Sequence, residues 1–315
     1  MPSFCRHNRF IQNCPICRED EQPARGAASG TRSGRGAVSP PSGARSRSAS
    51  SRGGVRVRQM ARATDDGYRS PLVPGLKAAA DAERLADELA FAAARLVQLA
   101  TDPPGTYAEA TLASDREEGL WLVFLTAVLC PTEGDDPFAN VRAAHVAWAT
   151  GELPDLSSVP RGLRASGDER TLAGYRAWAG RAGSQEAAVA GEGAWSPQRR
   201  FDRVFERLAL PGLDRGARYD FLVTAGRLGL AGVQGAALHF GGDAATLAAK
   251  RVFGIGDPIL LGRRAADLAQ VAGVPVEALD LALFNWGQPS GGRVTLGAAQ
   301  ADEGIRTAAA GALGV

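Results

Sequence analysis

Between residues 22 and 60 the chain carries almost no apolar side chain larger than valine, and Gly, Ser, Arg and Ala dominate. Such a stretch buries too little apolar surface to offset the entropy of ordering it, so it is expected to be a disordered tether. Folding is therefore left to what flanks it. The expected organisation is a small N-terminal unit over residues 1–20, a tether over 21–70, and one sizeable domain over 71–315, rich in Ala, Leu and Val.

Charge is divided the same way. The chain's net charge of +2 hides nine arginines and no acid over residues 22–62, against 24 basic and 31 acidic residues over 63–315. A polybasic arm suits a polyanion such as nucleic acid, whose counterions it releases. The plainer reading is a solvated linker in an arginine-biased chain. No apolar leader opens the sequence, and the longest apolar run, residues 120–130, is too short to span a bilayer. A cytoplasmic protein with no membrane partner is expected.

Three of the four cysteines fall within the first 17 residues, as Cys5-Arg-His7 and Cys14-Pro-Ile-Cys17. A CxH followed by CxxC supplies the four ligands of a closed tetrahedral zinc site, and one tight turn presents both thiolates of the second pair. With every position filled by protein, Zn2+ there is structural and supplies the folding energy of the knuckle. Free thiols in an unstructured tail, or a redox CxxC, are the alternatives.

Beyond the tether, apolar residues recur at helical spacing and strand signals are scarce. The pattern predicts a helix over 76–100 and another opened by a Ser114/Glu117 capping box and ending at Cys130. The second is apolar all round, which marks a central buried helix. Further helices are expected around 138–149, 168–181, 198–209 and 217–228. The fold class is all-α.

Residues 244–270 read as two helices flanking Gly254-Ile255-Gly256, with Asp257 able to cap and Pro258 to open the second. The first-turn amides of that second helix are then available to a phosphate. Next come Gly273-Val274-Pro275-Val276-Glu277 and a helix ending Asn285-Trp286-Gly287. This succession resembles the helix-hairpin-helix DNA glycosylase superfamily, in which a Val-Pro-Val-Asp-like turn follows the hairpin. More narrowly, the CxH and CxxC start, Arg218-Tyr219-Asp220-Phe221-Leu222-Val223-Thr224 and Phe253-Gly254-Ile255-Gly256-Asp257-Pro258 are similar to one branch, the alpha-glutamyl/putrescinyl thymine pyrophosphorylases, and within it to the third clade. The resemblance covers roughly residues 1–20 and 75–290.

The resemblance implies an all-α glycosylase-like domain behind a zinc knuckle, with DNA as partner. It places the superfamily's acidic catalytic position on Glu277, one carbon longer than aspartate, with Asp280 one turn further on; the plainer reading of Glu277 is an acid that only complements the helix dipole. Gly254, Ile255, Gly256 and Arg218 become DNA contacts, and Asn285 and Trp286 candidates for holding an extruded base, although a Trp near a helix end is more often core. No lysine follows the hairpin glycines, so a glycosylase of this kind would be monofunctional. Glu133, Asp135 and Asp136 read as a solvated acidic loop or a pocket wall, and His145 and His239 as packed or surface histidines. Two functions are expected to compete. One is an enzyme acting on a modified pyrimidine, thymine-type or phage-hypermodified, by glycosidic cleavage in phage defence or by pyrophosphate-linked exchange of a 5-substituent. The other is a non-catalytic zinc-containing DNA-binding module.

Overall fold

The apolar run at 120–130 becomes the axis of the domain. The computed structural model describes residues 63–289, 292–298 and 301–315, all within one compact unit. Among the described residues every regular element is a helix. Helix α1 (Ala79–Thr101) is followed by α2 (Thr106–Leu112) and α3 (Arg116–Leu129). Every residue of α3 from Gly119 to Leu129 is buried, which accounts for its lack of a polar face. Its cap is Asp115, whose carboxylate accepts from the Glu118 amide at 2.7 Å, not Ser114. The reason lies in Glu117, which turns away to accept from the amides of Gln185 (2.9 Å) and Glu186 (2.8 Å). There it caps α6 (Gln185–Ala190), a short helix that the apolar pattern alone does not mark.

The helix expected over 138–149 is split. Helix α4 (Ala139–Ala144) ends at His145, and a single 3-10 turn follows at Trp148–Thr150. Glu118 breaks it from outside. One carboxylate oxygen meets His145 Nε2 at 2.5 Å and the other accepts from the Trp148 amide at 2.8 Å. Tertiary bonds replace helical ones. Helix α5 (Glu169–Ala182) opens with a reciprocal capping box between Asp168 and Thr171, and α7 (Pro197–Arg207) opens with Ser196 and Pro197.

Helix α8 (Arg215–Arg227) packs against α3, and α11 (Ala278–Gly287) packs against α1. Between them in sequence come α9 (Ala244–Phe253) and α10 (Pro258–Ala272), joined by the glycine turn. Gly254 there has φ +65°, a left-handed position that ends α9 at little steric cost only for glycine. Residues 74–75 cross the end of α9. The Gly75 amide donates to Val252 O at 2.9 Å, and a Cβ on Gly75 would lie 1.9 Å from Arg251 O, so only glycine allows the crossing. Helix α12 (Glu303–Leu313) closes the domain against α1 and α10. Among the described residues no helix is long and apolar enough to cross a membrane.

Candidate functional site

The face of α11 that repeats Asp280 and Phe284, extended back to Glu277 at its start, meets α8 in a layer of buried charge. Asp280, 3% exposed, is held by two guanidiniums, with Arg164 on Oδ2 and Arg215 on Oδ1. Arg215 also pairs with Asp243 at 2.7 Å and donates to Leu238 O at 2.7 Å. Beside them Arg95 pairs with Asp220 at 3.0 Å and donates to Thr224 Oγ1 at 3.2 Å. Glu277 pairs with Arg227 and accepts from the Gly235 amide at 2.8 Å, which ties the loop between α8 and α9 to the start of α11. Four arginines thus face four carboxylates, so the layer is neutral and its charges are mutually satisfied.

Protonation follows from this packing. Burial alone would lower the pKa of Arg164 and Arg215, but the charge of Asp280, with that of Asp220 on Arg164 and of Asp243 on Arg215 and the hydrogen bonds among them, together outweigh it and hold both guanidiniums above their ordinary value. Burial pulls Asp243 upward, but hydrogen bonds from Arg215 and Thr246 and the charge of Arg215 prevail, leaving its carboxyl below the usual range. A carboxyl depressed on folding stabilises the fold above its unfolded pKa, and that contribution is lost as pH falls through the folded value. In Asp243→Asn, unfolding free energy should therefore fall less between neutral pH and pH 3 than in wild type. Denaturant titration at each pH measures this; equal slopes would show that the Asp243 pair contributes nothing. Burial also pushes the Tyr219 hydroxyl well up, helped by the charges of Asp280 and Glu277, and the hydroxyl is buried without a hydrogen-bond partner.

Beside this layer opens a cleft of about 660 Å³ lined by Arg164, Arg215, Arg218, Phe205, His239 and Phe284, and also by Asp214 and Asp243. Arg218 differs from its neighbours. Its guanidinium lies 4.5 Å over the Phe205 ring and donates to two backbone carbonyls, Phe205 O at 3.2 Å and Asp214 O at 3.4 Å. It pairs with no carboxylate among the described residues. Burial and then the neighbouring charge of Arg215 lower its pKa, and an anion beside it would offset the repulsion from Arg215.

The residues singled out from sequence fall on both sides of this picture. Arg218 lines the cleft. Glu277 and Asp280 stand behind it, with Arg164 and Arg215 between Asp280 and the opening, so in this arrangement they position the walls. Asn285 and Trp286 are not brought to the cleft. Asn285 donates to Glu88 and to Val294 O, both at 3.1 Å, and Trp286 Nε1 donates to Asp81 O at 2.9 Å, fixing both against α1 and residues 292–298. The rings available in the cleft are Phe205, Phe240 and Phe284. In the hairpin, Asp257 accepts from the Ile259 and Leu260 amides at 3.0 and 2.9 Å, which occupies first-turn donors that the sequence offers to a phosphate; Gly254, Ile255 and Gly256 form the turn before it. The acidic loop serves the fold: Glu133 accepts from the Thr295 amide at 3.0 Å and Asp136 pairs with Arg142 at 2.8 Å. Cys5, His7, Cys14 and Cys17 lie outside the described residues, and among those described no group of His, Cys, Asp and Glu is arranged to hold a metal ion.

Sequence reading missed Arg164, Asp243 and the pair His239–Asp202. Asp243 carried a signal, as an N-cap before Ala244. Arg164 carried none. No protein-family model, curated protein or solved structure matches the chain.

Proposed function

We propose that this chain is a DNA-directed enzyme whose helical domain, a helix-hairpin-helix glycosylase-like fold, receives an extruded modified pyrimidine in the cleft and breaks its glycosidic bond. The observation that carries the reading is the cleft itself. Its volume lies in the range of small-molecule sites, and it combines a half-buried ring, Phe240, that carries no stacked ring or guanidinium among the described residues, with a guanidinium, Arg218, that has no carboxylate partner there. No lysine lines it, so no amine is available for a Schiff base, and cleavage would stop at the abasic site without a strand break.

A second reading within the enzyme class is exchange of a substituent at the pyrimidine 5-position with loss of pyrophosphate. Arg218 favours it, since its guanidinium lines the cleft without a carboxylate partner among the described residues and is open to a pyrophosphate oxygen. In both readings the acidic helical domain relies on the arginines of residues 22–62 to attract DNA. Cys5, His7, Cys14 and Cys17 would hold one Zn2+ in a closed set of three thiolates and an imidazole, which contributes folding energy and takes no part in the reaction.

The test incubates the full chain with DNA carrying thymine, 5-hydroxymethyluracil or an aminoalkylated thymine. Abasic sites and released pyrophosphate are then scored. Alkali-dependent breaks on a modified strand are the expected result, together with zinc near one per chain. A protein that shifts DNA in a gel yet releases neither base nor pyrophosphate from any substrate would be the non-catalytic binding module instead.

A further inference from the structure

His239, which the sequence presents as an ordinary packed histidine, stands in the cleft wall in a built setting. Its backbone has φ +49°, a region that residues with a side chain seldom occupy and that persists only where the surroundings impose it. Both flanks impose it here. The carbonyl of Leu238 accepts from Arg215 Nη1 at 2.7 Å, and the amide of Gly241 donates to Thr246 Oγ1 at 3.0 Å. The ring stacks on Phe205 at 4.4 Å between centroids, with planes 20° apart. One nitrogen, Nε2, lies 2.9 Å from Asp202 Oδ1 on α7. The other, Nδ1, has no hydrogen-bond partner among the described residues.

A carboxylate at Nε2 favours the tautomer with its proton on Nε2, which leaves the lone pair on Nδ1. His239, which lines the cleft, then carries a proton acceptor beside the donors Arg164, Arg215 and Arg218. The other basic groups of the cleft are less suited. Asp243 is occupied by Arg215 and Thr246, and Asp214 caps α8 through the Ala217 amide at 2.8 Å. A carboxylate is also the weaker base by about two to three pK units in its ordinary state. The charges that face the imidazole are Asp202 from α7, Asp214, Arg215 and Arg218 from α8, Asp243 at the start of α9, and Arg164.

We propose that His239, oriented by Asp202, is the general base of this cleft. The proposal rests on the reading that the cleft receives the base to be cleaved. Nδ1 takes a proton from a water as the water oxygen bonds to C1′ of the sugar. The C1′–N1 bond breaks and its electron pair leaves with the pyrimidine. The proton on Nδ1 then passes to the departing base, so water is consumed and the imidazole returns to its starting state. No oxidant, metal or further reactant takes part.

The experiment compares wild type, His239→Asn and Asp202→Asn of the full chain. Asn tolerates a positive φ, and thermal melts confirm that both variants fold. Base release under saturating DNA should fall about 100-fold or more in His239→Asn with KM little changed. In Asp202→Asn the fall should be smaller, and the neutral ring should lose its preference for the proton on Nε2. Histidine 15N spectra of the unliganded protein, assigned through His239→Asn, should show Nδ1 unprotonated and Nε2 protonated in the neutral ring. Wild-type turnover in a folded His239→Asn overturns the proposal, and so does a neutral ring with its proton on Nδ1. Wild type that releases no base from any substrate overturns the glycosidic reading itself, and the tautomer then separates that failure from a misassigned imidazole.

Discussion

Asp280→Ala should destabilise the domain by about 3–5 kcal/mol, the cost of removing one partner from a buried ionic group. The substitution removes a carboxylate that contacts Arg164 and Arg215 at once, and these arginines are 6 or 7% exposed. Arg215 keeps Asp243, but Arg164 retains only a long hydrogen bond to Gly216 O at 3.4 Å. An unpaired guanidinium would remain in a site with little access to water. Asp280→Asn keeps the shape and one acceptor oxygen, so its loss should be smaller. The double change Arg164→Met with Asp280→Leu should recover most of the stability, because apolar side chains of similar volume avoid the desolvation penalty altogether. Urea unfolding of the three variants measures this. A loss below about 1 kcal/mol in Asp280→Ala would show that the layer is hydrated and that the pairing is not what holds it. The same series separates structure from chemistry: Asp280→Asn that folds like wild type yet is inactive would mean that its carboxylate reaches the reacting atoms after the walls move.

That such a layer exists could not be read along the chain. The helix through residues 120–130 was legible because an unbroken apolar run has one outcome, burial on all sides. The turn at 254–258 was legible because glycine, aspartate and proline each have a local reason to stand there. Glu118 shows the limit. Nothing near it in sequence says that its carboxylate will divide the helix expected over 138–149, since that depends on α3 and α4 lying side by side. Glu117 likewise deserts the local capping box for a helix some 70 residues on. Asn285 and Trp286 end a helix as ligand-binding residues do, but their polar atoms are taken by Glu88 and Asp81, from a helix about 200 residues earlier, and by the nearby Val294. The cleft has the same origin. It joins Phe205 of α7, Arg215 and Arg218 of α8, Phe284 of α11 and the loop at 238–243, so no single stretch carries its signature. Arg218 was found only through the resemblance of its neighbours, and Arg164, alone in a loop, not at all.

Arg218→Met should weaken binding of a fluorescent single-stranded DNA oligonucleotide by about 10- to 100-fold at fixed salt, a loss of about 1.4–2.7 kcal/mol. Methionine keeps an apolar stem against Phe205 but gives up the cation–π contact and two hydrogen bonds, so stability should fall by about 1–2 kcal/mol, and binding is compared at a temperature where both proteins are folded. The argument is electrostatic. Arg164 and Arg215 are already neutralised by Asp280 and Asp243, and a phosphate approaching them must compete with carboxylates that cannot leave. Arg218 faces no such competitor. Its pKa is lowered because burial and Arg215 both oppose its charge, and a phosphate offsets the repulsion from Arg215 on arrival. The dependence of log K on log salt should accordingly lose about one unit of slope, one counterion's worth. Arg218→Lys should recover part of the slope but less of the affinity, because an ammonium restores the charge without the planar fork that grips two phosphate oxygens. Anisotropy titrations at several salt concentrations give both quantities. Unchanged affinity and slope in Arg218→Met would place the DNA elsewhere on the domain, with the hairpin at Gly254–Gly256 as the next face to test.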